Sequence, residues 1–145
     1  MPVAPKGKKF VDISKSGMNL YVAVPDSTFG ILDTLFDSSS KVILKVGESF
    51  QVIVEEKETT TKQMKEEINN TTSDIELVKN FLVDNDTSLI WETSIGEISK
   101  HHFYYILKAE GRSFTFCSPN DVIFSKKQIE EMWEASRASV VKGIK

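Results

Sequence analysis

The chain has 145 residues and a formal charge of −3, from 18 Lys and Arg against 21 Asp and Glu; 40% of it is hydrophobic and 27% charged. That length supports one domain with its own core. The composition excludes a disordered, collagenous, coiled-coil or disulfide-stapled chain. No apolar run approaches the roughly 18 residues of a membrane-spanning helix, and a pI near 5.5 lacks the basic surplus of a nucleic-acid binder.

In chain order, residues 1–9 read as a flexible lead-in and residues 10–145 as a single domain. Phe10–Ile13 is a short strand. Met18–Val24 is a better one, with Leu20, Val22 and Val24 on one face, because side chains alternate along a strand. Phe29, Leu32, Leu35 and Phe36 have helical spacing and predict one or two helical turns. Lys41–Val46 and Ser49–Glu56 read as a hairpin turning at Gly47-Glu48. Two helices are expected next, near 61–69 and 74–83. Thr60 with Gln63, and Ser73 with Glu76, have the spacing of a capping box, in which each member satisfies the other's free N–H. The first helix offers only Met64 and Ile68 to a core, and the second offers Ile75, Val78, Phe81 and Leu82. Ser88–Thr93 is a strand. Phe103–Ala109 and Arg112–Cys117 form a hairpin around Glu110-Gly111. Ser125 and Gln128 repeat the capping pattern ahead of a closing helix, 126–142, whose apolar stripe is Ile129, Met132, Trp133, Ser136 and Val140. Hairpin-linked strands with segregated helices define an α+β fold. Its expected form is an antiparallel sheet of about six or seven strands packed by helices.

The chemistry-bearing patterns are sparse. The seven glycines are scattered, so no phosphate-binding loop and no nucleophile elbow is present. His101-His102 is the one histidine pair. On a strand, adjacent rings point to opposite faces, so the pair should not chelate a metal. Cys117, the sole cysteine, ends an apolar strand and reads as a small core side chain. Glu55, Glu56 and Glu58 beside Lys57 read as a solvated strand exit. Trp91, Phe103, Tyr104, Tyr105, Phe114 and Phe116 fall on adjacent strands and read as core, because a nucleic-acid stacking platform would need a basic groove. Residues 1–15 are rich in Lys and residues 55–86 in Asp and Glu, which gives a basic tail and an acidic face open to a basic partner. No catalytic, cofactor-binding or metal-binding residue is assigned, and no cofactor is expected.

The element order resembles one family. A leading strand ends in Val24-Pro25, and a paired strand carries Phe50-Gln51-Val52-Ile53-Val54. Capped helices bear Thr60–Gln63 and Ser73–Glu76. Then come a Tyr104-Tyr105 strand, the Phe114–Cys117 strand and a closing amphipathic helix. Over roughly residues 10–142 this order resembles the PsbP-like superfamily, which includes a photosystem II extrinsic subunit, a Ran-binding import factor and many bacterial lipoproteins. The resemblance implies a sheet sandwiched by helices and a non-enzymatic accessory or binding role. The alternatives are a small hydrolase-like enzyme using His101 or His102, and a dimeric secretion-type chaperone. The expected partner is a protein or peptide, or a second copy of the chain, and neither nucleic acid nor a membrane span. Phe29, Ile31, Leu32, Leu35 and Phe36 place five large apolar residues in eight positions. They would form either a lid on the core or that partner surface. The opening nine residues lack the apolar stretch of a signal peptide. Two locations stay open: cytoplasmic, or exported or periplasmic if Met1 follows a removed signal, which the tether-like Pro- and Lys-rich opening favours.

Overall fold

A computed structural model of the chain describes residues 3–26, 30–36, 41–71 and 76–142. The fold is α+β. A seven-stranded antiparallel sheet carries one helix on each face, and a three-stranded sheet sits beside the second helix.

The small sheet is formed by β1 (Lys8–Asp12), β2 (Leu20–Pro25) and β10 (Val140–Val141), with β2 in the middle. β1 thus takes in the last two residues of the segment read as a lead-in. The large sheet takes β3 (Leu32–Phe36), β4 (Val42–Val46), β5 (Phe50–Glu56), β6 (Glu76–Asp84), β7 (Ser88–Ile95), β8 (Ile98–Ala109) and β9 (Arg112–Cys117) in the order β3-β4-β5-β9-β8-β7-β6. Alternation divides its side chains between two faces. Val42, Leu44, Val46, Phe50, Val52, Val54, Ile90, Phe103, Phe114 and Phe116 meet Ile13, Leu20, Val22 and Val24 of the small sheet and its turn. They also meet Ile129, Met132 and Ala135 of helix α2 (Lys126–Ala138), which closes the main core. On the other face, Leu89, Trp91 and Ile106 pack with Met64 of helix α1 (Thr61–Thr71), flanked by Ile68, Val78, Phe81 and Tyr104.

Both surviving caps follow from sequence. Gln63 N–H donates to Thr60 Oγ1 and Thr60 N–H to Gln63 Oε1, each at 3.1 Å. Ser125 and Gln128 make the same reciprocal pair at 3.2 and 2.9 Å.

Three sequence expectations are corrected. The helix near 74–83 is the edge strand β6, and residues 72–75, including Ser73 and Ile75, lie outside the described residues. β6 carries register shifts between Val78 and Asn80 and between Phe81 and Val83. A bulge adds a residue to one strand. It therefore places Val78 and Phe81 three apart on the same face, and this imitates a helical stripe. Of the segment 29–36, Phe29 lies outside the described residues, and residues 30–36 are not helical but run into β3. Gly30, at φ +140°, lies so close to the β4–β5 turn that a Cβ there would stand 2.8 Å from Gly47 N and Cα. That conformation delivers Leu32 opposite Val46. The closing helix stops at Ala138, not at residue 142. Ser139 is extended, with ψ 147°, and the β-branched Val140 leaves the helical stripe to pair with Tyr21 of β2.

Candidate functional site

Two places on the large sheet carry more than packing. The first is the outer strand β3. Leu32 turns into the main core, whereas Ile31 is 88%, Leu35 58% and Phe36 39% exposed. The segment read as a lid or a partner surface is therefore divided, with one anchor inward and three apolar side chains outward. Lys15 Nζ stands 5.5 Å from the centre of the Phe36 ring. Gly47 N–H donates to Ile31 O at 3.4 Å, and Leu32 faces Val46. In an antiparallel ladder this makes Leu32, Thr34 and Phe36 the non-hydrogen-bonded positions toward β4. Their N–H and C=O groups point outward, where no described strand pairs with them. Leu35 also begins a row of cross-strand neighbours: Ile43, Ile53, Cys117 and Tyr104, each half-buried.

The second is a polar cluster between β6, β7 and β8 that sequence reasoning missed. Thr93, Lys100 and His102 are all buried. Thr93 Oγ1 donates to Glu76 Oε2 at 2.6 Å. His102 Nε2 lies 3.1 Å from Thr93 Oγ1 and 3.3 Å from Glu76 Oε2. The Thr93 proton is already given to the carboxylate, so Nε2 must be the donor, and the neutral ring carries its proton there. Nδ1 is buried with no hydrogen-bond partner among the described residues. Lys100 Nζ donates to Asn120 O at 2.6 Å and stands 3.6 Å from Glu76 Oε1. Trp91 stacks on His102 at 5.1 Å and on Tyr104 at 5.5 Å. Burial pushes the His102 pKa below its ordinary value, and the nearby Glu76 only partly offsets this. Burial acts to raise the Glu76 carboxyl. The Thr93 hydroxyl together with the charges of Lys100 and His102 outweighs that and leaves it below the usual value. The available signal was alternation: Lys100 and His102 are two apart on one strand and so share a face. The acid was hidden because Glu76 was read as a helix cap.

This order of donors does not activate a nucleophile. A catalytic hydroxyl must give its proton to the imidazole, but Thr93 gives its proton to the carboxylate. The two histidines diverge as alternation requires, with His102 opposite Trp91 and His101 opposite Glu92. Cys117 is half-buried, and burial, reinforced by Glu55, pushes its thiol up to about 12, so no thiolate nucleophile forms at neutral pH. Glu56 is bound by Arg112 through two hydrogen bonds of 2.7 and 3.0 Å, and Glu58 reaches Lys108 at 3.9 Å. No group of three potential metal ligands is found among the described residues, and none of their helices is long and apolar enough to cross a membrane. In comparisons with known proteins, no family model, curated protein or solved structure matches this chain.

Proposed function

We propose that this chain is a non-enzymatic binding protein whose contact surface is the open edge of β3, where an extended segment adds as a further strand. The observation that carries the reading is the contrast between the two edges of one sheet. β6 also exposes Leu77 and Leu82, but it is interrupted by two bulges and bears Glu76, Lys79 and Asp84, devices that blunt an edge against pairing. β3 keeps an unbroken five-residue register and exposes Leu35 and Phe36, with Ile31 exposed just ahead of it. Strand addition takes its affinity from main-chain hydrogen bonds and its selectivity from alternate side chains. Both are on offer at β3. A sheet with a helix on each face is also what the PsbP-like resemblance implies, and accessory or binding roles are the ones it carries.

The test is selection of short linear peptides from a displayed library on immobilised protein, followed by measurement of each winner against Thr34→Pro. Proline at an outward-pointing edge position removes a donor used only by an added strand. Enriched peptides should lose at least about tenfold in affinity for the variant, equal to roughly 1.4 kcal/mol. A selection that enriches nothing, or peptides that bind both proteins equally, would remove the support for β3 as the contact surface.

A further inference from the structure

We infer that the strand β3 accepts is a second copy of itself, the two strands pairing antiparallel about a two-fold axis through Thr34. This rests on the reading of β3 as the contact surface and names its occupant.

The backbone sets the register. Only Leu32, Thr34 and Phe36 point their N–H and C=O groups outward. Antiparallel strands exchange two hydrogen bonds at alternate pairs. Centring the pairing on Thr34 sets Thr34 against the partner's Thr34, and Leu32 against the partner's Phe36 on each side of the axis. Every outward group is then used. Moving the axis to Leu35 leaves the Leu32 groups beyond the partner's described strand.

Side chains agree with that register. Facing residues share a face of the sheet, so on the main-core face the Thr34 pair is flanked twice by Leu32 against Phe36. Thr–Thr and aromatic–aliphatic pairs are favourable cross-strand neighbours. On the other face, Asp33 meets the partner's Leu35, and its charge faces Lys45 on its own β4. No like charges meet across the axis between the two β3 strands. A single added strand pair, with Leu35 and Phe36 of each copy exposed beside it, is a small contact beside the standard size of a stable interface. The dimer is accordingly weak, and the two large sheets become one of fourteen strands.

Sedimentation equilibrium of the whole chain, from about 1 to 500 μM, should show the mass climbing toward twice the 16.4 kDa of one chain. Thr34→Pro and, independently, Phe36→Lys should remain at one chain's mass while keeping the wild-type circular dichroism. Leu77→Lys, on the opposite edge strand, should leave the association unchanged. Register is read by cysteine pairing on a Cys117→Ser background. Hydrogen-bonded partners stand about 5.5 Å apart at Cα, within disulfide reach. Thr34→Cys should therefore oxidise to a covalent dimer far faster than Asp33→Cys. Wild type that stays monomeric throughout overturns the inference. So does a dimer that persists in both edge variants, or an Asp33→Cys that crosslinks faster. If the wild type is monomeric but selected peptides still bind at β3, only the second copy is lost. If no such peptide exists either, the reading beneath it falls too.

Discussion

Thr93 has one hydroxyl proton and gives it to Glu76, and from this the behaviour of the cluster follows. His102 is neutral, with its proton on Nε2, and a second proton would land on Nδ1, which has no partner among the described residues. The charges facing the ring are the carboxylate of Glu76 and the ammonium of Lys100. Burial holds the folded His102 pKa below 6.5, the ordinary value, so the unfolded chain takes up the proton first. Stability from this residue is therefore present above pH 6.5 and is lost as pH falls through the folded value. Glu76, held below 4.5, adds a loss of the same sign at lower pH. Urea midpoints should fall between pH 7.5 and 5.5, and His102→Gln, which keeps a donor but cannot titrate, should flatten that slope. An equal slope in the variant would place the titration elsewhere. A second residue-scale expectation concerns Gly30. Its φ of +140° and the 2.8 Å that a Cβ would leave to Gly47 N and Cα make Gly30→Ala costly by about 1–3 kcal/mol. A melt within about 0.5 kcal/mol of wild type would show that β3 enters the sheet without this contact.

The elements divide into those that announce themselves and those that a local irregularity disguises. Helix α2 was legible from its Ser125 cap and the Ile129–Met132 spacing, because both signals lie within one turn. The β4–β5 and β8–β9 hairpins were legible from Gly47 and Gly111, which adopt φ 59° and 77°. β6 was not legible, because its bulges shift the alternation of an edge strand into something resembling a helical period. β3 was not, because Leu35 and Phe36 are adjacent and point to opposite faces, a pattern a solitary short strand shares with a helix. Its identity comes from β4, which lies across the Asp37–Ser40 link in sequence. The helix end was misplaced because Ser139 does the work of a stop signal through tertiary bonds. It accepts from Ala23 N at 3.0 Å and donates to Ala135 O at 3.1 Å while buried. Ser139→Ala should therefore cost about 1–3 kcal/mol, the range for a buried donor left without its acceptor. A loss in urea melts below about 0.5 kcal/mol would mean that β10 holds β2 without it. Within α2, Trp133 is half-buried, and its Nε1–H donates to Ser88 Oγ at 2.8 Å. Trp133→Ala should thus fall near 3 kcal/mol, the low end for a large aromatic truncation.

At the scale of the molecule, one sheet serves two cores of unequal size. Phe103 and, half-buried, Tyr105 and Leu107 of β8 face the main core, while the intervening Tyr104 and Ile106 face the α1 side. A strand cannot leave one core without leaving the other, so the chain should unfold as one unit despite its second, small sheet. The two tryptophans test this, because each reports on a different side. Trp91 lies in the α1 cluster, and Trp133 packs beside the main core. Trp133→Phe leaves a protein whose fluorescence reads the α1 side, and Trp91→Phe leaves one that reads the α2 side. Within each variant, the urea transition followed by fluorescence should coincide with that followed by far-ultraviolet circular dichroism, as cooperative two-state unfolding requires. The weak point is the α1 side. Its buried apolar contacts are few: α1 brings Met64 and Ile68 to them, and its Lys65 and Glu67 pair with Asp84 and Lys57 at the surface. Should Trp91 fluorescence change at lower urea than the circular dichroism in Trp133→Phe, α1 and the β6 edge open before the sheet. The shared strand β8 would then be insufficient to couple the two faces, and residues 10–145 would not behave as one cooperative domain.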